Sequence, residues 1–141
     1  MAGEIVVGVG PDHSGEDAAR YGAQLAGLFG AGVVLVFGYD QSALGPRGGP
    51  LEEQLEEIAA EIAAEVVAIL AVEHPTIEVR VELVRDRPAD SLLRVAESIE
   101  AEMIVVGHGG GGPIRAALLG STTYELVHRG SIPIVVVPAK E

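Results

Sequence analysis

Apolar residues fall into two rhythms along this chain. Short continuous runs at Glu4-Ile-Val-Val-Gly-Val9, Val33-Val-Leu-Val-Phe37, Met103-Ile-Val-Val106 and Ile134-Val-Val-Val137 are rich in β-branched residues and predict buried strands. Strands this continuously apolar belong to parallel sheets covered on both faces. Ile77 to Val84 differs: its apolar residues alternate with Glu78, Arg80 and Glu82, which predicts a half-exposed edge strand. Between the strands the period lengthens. Ser14-Gly-Glu-Asp17 reads as a capping box opening a helix that runs to about Phe29, where Gly30, Ala31 and Gly32 stop it. From Leu51, apolar Leu55, Ile58, Ile62, Val66 and Ile69 recur three or four residues apart, with Glu52, Glu56, Glu57, Glu61 and Glu65 mostly between them, until His74-Pro75. Pro88 to Glu100 and Ser121 to His128 complete the helices.

Strands alternating with helices imply parallel strands joined by right-handed crossovers, so the predicted fold is an α/β, doubly wound domain with helices on both faces. Ligands on such sheets bind beyond the carboxyl ends of the strands, where the strand order reverses. If the first and fourth strands flank that point, Gly10 faces Gly107. Tyr39 to Pro50, with Gly45, Pro46, Gly48, Gly49 and Pro50, is the longest irregular stretch and reads as a surface loop.

Size and charge narrow the function. The 141 residues, 48% of them apolar, suit one domain spanning 1–141. A net charge of −12, from 21 acidic against 9 basic residues, repels phosphate backbones, which argues against nucleic acid and anionic membranes as partners. The absence of cysteine excludes disulfides and thiolate metal sites. An acidic, strand-like start rather than a basic, apolar leader points to a cytoplasmic location.

The candidate chemistry lies in Gly107-His-Gly-Gly-Gly-Gly-Pro113-Ile-Arg115-Ala-Ala-Leu-Leu-Gly120-Ser121-Thr-Thr123. A Walker A loop needs Gly-Lys-Ser/Thr, and no lysine is present here. What remains is two glycine corners, Gly107 to Gly112 and Gly120-Ser121. Glycine lets backbone amides approach phosphate oxygens without a Cβ clash. Gly120-Ser121-Thr122 opens a helix, whose first amides and positive dipole end favour an anion, and the Ser121 hydroxyl adds a donor besides serving as N-cap. Such a site holds a triphosphate without lysine. The four histidines lack metal-ligand spacing, and no nucleophile with an adjacent base stands out, so the sequence supports binding rather than catalysis beyond slow hydrolysis of a bound nucleotide.

The spacing Gly107-x-x-Gly110, nine residues, Gly120-Ser121 resembles the ATP-binding branch of the universal stress protein family. The resemblance extends through Ile5-Val-Val-Gly-Val9, Pro88-Ala89, Ile104-Val-Val-Gly107 and Pro133-Ile-Val-Val-Val-Pro138. It implies a Rossmann-like, five-stranded parallel sheet of order 3-2-1-4-5. It also implies ATP, with or without Mg²⁺, whose adenine meets the backbone of Gly38 beside Val9 and whose phosphates sit at Gly107, Gly110, Gly120, Ser121 and Thr122. A homodimer through the last strand, Ile134 to Val137, is implied as well. The family usually ends its first strand with Asp; here Gly10 takes that place, followed by Pro11 and Asp12, so Asp12 is the nearest carboxylate for ribose or Mg²⁺. The position after Gly110, often basic in the family, is Gly111, which leaves Arg115 and His108 as cationic candidates. The resemblance thus implies a nucleotide-binding regulatory or stress-response protein acting through nucleotide-dependent dimer or partner interactions. The alternatives are a dimeric scaffold whose site is empty, and a slow ATP-hydrolysing or adenylate-transferring enzyme.

Overall fold

A computed structural model describes residues 3–10, 13–39, 50–108 and 121–138. Along them run β1 (Glu4–Gly8), α1 (His13–Phe29), β2 (Gly32–Gly38), α2 (Pro50–Glu73), β3 (Val79–Val84), α3 (Pro88–Ser98), β4 (Met103–Gly107), α4 (Ser121–Arg129) and β5 (Ile134–Val137). The five strands form one sheet in the order β3-β2-β1-β4-β5, and every pairing is parallel. This is the α/β, Rossmann-like arrangement and strand order expected.

Alternation along each strand sends successive side chains to opposite faces, and both faces are apolar. Ile5, Val7, Val33, Leu35, Phe37 and Val105 pack against alanines of α1 and against Ala59, Val66 and Leu70 of α2. Val6, Val34, Val36, Ile104 and Val106 pack instead against Leu92, Leu93, Val95 and Ala96 of α3 and Leu126 of α4. That two-sided burial is why these strands read as unbroken apolar runs. Each fully buried branched side chain stabilises the fold by about 1.5–3 kcal/mol relative to exposure. On α1 the small residues Ala18, Ala19, Ala23 and Ala26, all fully buried, let the helix lie close to the sheet. A Cβ at Gly22 would come within 2.7 Å of Val7 Cγ2.

Element ends follow tertiary demands more than local signals. α1 begins at His13, so Ser14 lies inside the helix rather than at its cap. Its other end is as expected: Gly30 takes φ +67° and the Ala31 N–H donates to the Ala26 carbonyl at 2.8 Å, closing a Schellman turn. β3 starts at Val79, two residues later than the alternation predicts, because the Ile77 N–H closes a turn onto the His74 carbonyl. α3 stops at Ser98, and Glu100 enters the left-handed region at φ 50°. β3 is an edge strand as predicted, with Arg80 and Val81 exposed.

Candidate functional site

The strand order reverses between β1 and β4, the pair that departs in opposite directions across the sheet. Their register pairs Val7 with Val105, and extending it by two residues sets Val9 beside Gly107. On the other side Gly8 pairs with Val36, which brings Gly10 level with Gly38. The carboxyl ends of β1, β2 and β4 therefore bring Val9, Gly10, Gly38, Gly107 and His108 together. α4 starts at Ser121, which is exposed, followed by half-buried Thr122. Asp12, Gly110, Arg115 and Gly120, together with 40–49 of the long loop, lie outside the described residues.

Local bonding settles what each residue offers a ligand. Val9 is 7% exposed and belongs to the core beneath α1 and α2, and its N–H extends the ladder to the Val36 carbonyl at 3.0 Å. The same two-residue alternation turns the Gly38 carbonyl toward the chain beyond the end of β1. Gly38 is glycine for a packing reason: a Cβ there would lie 2.5 Å from Ser91 Oγ and 2.9 Å from Pro88 Cα. Ser91 is fully buried, and its hydroxyl donates to the Arg87 carbonyl at 2.9 Å, one turn back in the backbone. The His108 N–H is already engaged, donating to the Val137 carbonyl at 2.8 Å, so this amide is not on offer to a ligand.

Thr123 differs from its neighbours Ser121 and Thr122. Its side chain turns inward, is 2% exposed, and Oγ1 donates to the Gly107 carbonyl at 3.1 Å. A single bond thereby joins the end of β4 to the first turn of α4. Sequence reasoning did not single out this residue or Ser91; the available signal for Thr123 is its three-residue spacing from Leu126, which places both on the buried face of α4.

Charges around α3 and α4 are locked to one another. Arg87 Nη2 meets Glu125 Oε1 at 2.5 Å, and Arg129 Nη1 meets Asp90 Oδ1 at 2.8 Å, so the start of α3, with its N-cap residue Arg87, and α4 each supply one cation and one anion to the other. Such partly exposed pairs each contribute about 0–1 kcal/mol and act mainly on orientation. Arg94 pairs with Asp86 and Arg20 with Glu73. Each of these described arginines is thus paired with a carboxylate. Among the described residues no group of three or more His, Asp or Glu side chains is placed to hold a metal ion.

The opposite, amino end of the sheet carries a groove of about 590 Å³ lined by Gly3, Glu4, Gly32, Val33, Glu78, Val79 and Arg80. The hydrogen bond from Arg80 to Glu4 raises the guanidinium pKa above its ordinary value. Arg80 is held by Glu4 at 3.0 Å and Glu82 at 2.9 Å, so the groove presents a compensated ion cluster.

Comparison with known proteins decides the ancestry of this arrangement. Residues 1–138 match the family model for the universal stress protein family. The chain belongs to the universal stress protein family. A universal stress protein of Mycolicibacterium smegmatis is 32% identical over 140 residues, which cover 94% of this chain and 47% of that protein. A universal stress protein of Mycobacterium tuberculosis is 36% identical over 63 residues, covering 45% of this chain and 21% of that one. The chain thus spans about half, or less, of the length of these relatives. Among solved structures, a universal stress protein from Archaeoglobus fulgidus superposes with TM-score 0.80 at 24% identity, covering 97% of this chain and 99% of that one. A universal stress protein from the same organism in complex with dAMP gives TM-score 0.74 at 24% identity, with 97% and 98% covered. A universal stress protein in complex with cAMP gives 0.71 at 20% identity, with 96% of each chain covered. The Rossmann-like fold and the strand order are those of this family. Among the described residues, no helix is long and apolar enough to cross a membrane.

Proposed function

We propose that this universal stress protein binds a nucleotide, ATP with or without Mg²⁺, beyond the carboxyl ends of β1, β2 and β4. The carrying observation is the junction of Gly107 with the first turn of α4 at the point where the strand order reverses. It sets the positive dipole end of a nine-residue helix beside a glycine corner, a combination that suits phosphate oxygens. Relatives of the same fold hold dAMP and cAMP, which supports an adenine nucleotide as the ligand class.

In this reading the adenine meets the Gly38 backbone, the phosphates meet the amides around Gly107, Gly110, Gly120 and Ser121, and Asp12 serves ribose or Mg²⁺. Occupancy signals through the dimer surface or a partner protein. Its work is binding, in keeping with a sequence in which no nucleophile with an adjacent base stands out. The test is isothermal titration with ATP, with and without Mg²⁺, beside mass spectrometry of small molecules released on denaturing freshly purified protein. Saturable heat at millimolar ATP or below, or a co-purified adenine nucleotide, is the expected result.

A second reading, an unliganded dimeric scaffold, is favoured by one observation: Gly10 stands at the end of the first strand where the family has Asp. No heat, no thermal shift and no retained nucleotide would select it.

A further inference from the structure

We propose that α4 is an ionic-strength latch, held to the start of α3 by a closed ring of charges and released locally, ahead of the rest of the fold, when salt screens that ring. The inference is independent of the nucleotide reading. α4 has nine residues, too few for a stable helix in isolation, so it persists through its packing. That packing is thin. Of its side chains only Thr123 and Leu126 are buried, whereas α3 buries Ala89, Ser91, Leu92, Leu93, Val95 and Ala96. Leu126 is thus the one fully buried apolar anchor of α4 in the core it shares with α3. The Thr123 hydroxyl adds a single bond to the Gly107 carbonyl.

The rest of the attachment is electrostatic and lies near the surface. Arg87 meets Glu125 at 2.5 Å, Glu125 lies 3.8 Å from Arg129, Arg129 meets Asp90 at 2.8 Å, and Asp90 lies 3.8 Å from Arg87. Positive and negative groups therefore alternate around a closed ring, the arrangement in which surface ion pairs act as a network. The ring side chains are between 28% and 51% exposed, within reach of dissolved ions. The screening length falls from about 10 Å at 0.1 M salt to about 3 Å at 1 M, so the attraction across the two elements fades over that range. When α4 lifts away, Arg87 keeps Asp90 and Arg129 keeps Glu125, so release strands no charge. The molecule as a whole responds in the opposite sense. With a net charge of −12, like-charge repulsion opposes folding, and salt relieves it. Added salt thus tightens the fold while loosening α4, which breaks the Thr123 bond to the end of β4 and uncovers Leu126.

Hydrogen exchange of the full chain without added ligand, followed by mass spectrometry in about 0.05 M and about 1 M NaCl, reads the latch. Peptides covering Glu125 to Arg129 are expected to exchange about threefold faster in the higher salt, the size of effect a weakened surface network gives. Peptides covering β1 and β4 are expected to exchange at the same rate or more slowly. Glu125→Gln opens the ring while keeping the size of the side chain; it is expected to raise α4 exchange in low salt to about the high-salt level and to abolish the salt response. Asp90→Asn, on the facing element, is expected to do the same without altering α4 itself, which separates loss of the ring from a change in helix propensity. Slowing of α4 in parallel with the core in 1 M NaCl would overturn the latch, as would a salt response left intact in both variants. Equal acceleration throughout the chain would also overturn it, because the opening would then be global. Should either variant fail to fold, the comparison of α4 with the core in the unaltered protein still decides.

Discussion

At the residue scale, the end of β2 shows how a position gains its identity from a neighbour far away in sequence. Gly38 sits where α3 begins, and the space its side chain would occupy is filled by Ser91 Oγ and the Pro88 backbone. Gly38→Ala forces the helix and strand apart, since the backbone at Pro88 has little room to yield and Ser91 is tied to Arg87. Overpacking of this kind costs about 1–3 kcal/mol. A urea melt of Gly38→Ala is expected to show a lower midpoint with an unchanged slope, and combining it with Ser91→Ala is expected to restore part of the loss. A midpoint equal to that of the unaltered protein would mean that α3 does not approach β2 this closely. Nothing local signals this constraint: Gly38 reads from sequence as a strand end or a backbone contact to adenine, and only the crossover of α3 reveals why a side chain is excluded. Thr123 was obscure for the same reason. In sequence its hydroxyl is indistinguishable from those of Ser121 and Thr122, and its inward turn depends on where β4 ends.

Elements were legible where burial alone defines them. β5 spans Ile134–Val137 as its apolar run predicts, and α1 ends at Phe29 because Gly30 supplies the positive φ that a Schellman turn requires. The end of α3 was less legible. Its reversal uses the same geometry, with the Ala101 N–H donating to the Ala96 carbonyl at 2.9 Å and Glu100 N–H reaching the Glu97 carbonyl at 3.3 Å. The residue in the left-handed position is Glu100 at φ 50°, a good helix former that carries no stop signal. The turn forms because Ala101 must be buried to lead the chain into β4, and tertiary burial outweighs the local strain. A non-glycine residue there costs on the order of 1 kcal/mol. Glu100 is exposed, so Glu100→Gly is expected to stabilise the protein by about 1 kcal/mol, a rise of about 3 °C in Tm. Calorimetric melting tests this, and a lowered Tm would show that the α3 terminus is not strained as described.

At the scale of the whole molecule, the sheet closes its apolar core on both faces and leaves two edges, which the protein treats differently. β3 carries Arg80 and Glu82 on its edge, charges that discourage further strand pairing. β5 carries four aliphatic residues in succession, each half-buried, with half-exposed Tyr124 and Val127 on the neighbouring α4. Proposed pairing of β5 with β5 of a second copy covers this edge, and the backbone register supplies a clean test. Pro133 and Val137 carbonyls accept from β4, so the alternation turns the backbone groups of Ile134 and Val136 to the open side. A proline is tolerated on an edge strand when the N–H it removes faces outward. Val136→Pro is therefore expected to keep the β4–β5 ladder while deleting a donor that a partner strand needs. In sedimentation velocity, the unaltered protein is expected at twice the 14.5 kDa chain mass and Val136→Pro at the single mass, with the same far-ultraviolet circular dichroism. A dimer that persists in Val136→Pro places the association on another surface. If the unaltered protein stays at the single mass over a wide concentration range, nucleotide occupancy cannot act through a dimer, and its signal would have to pass to a partner protein instead.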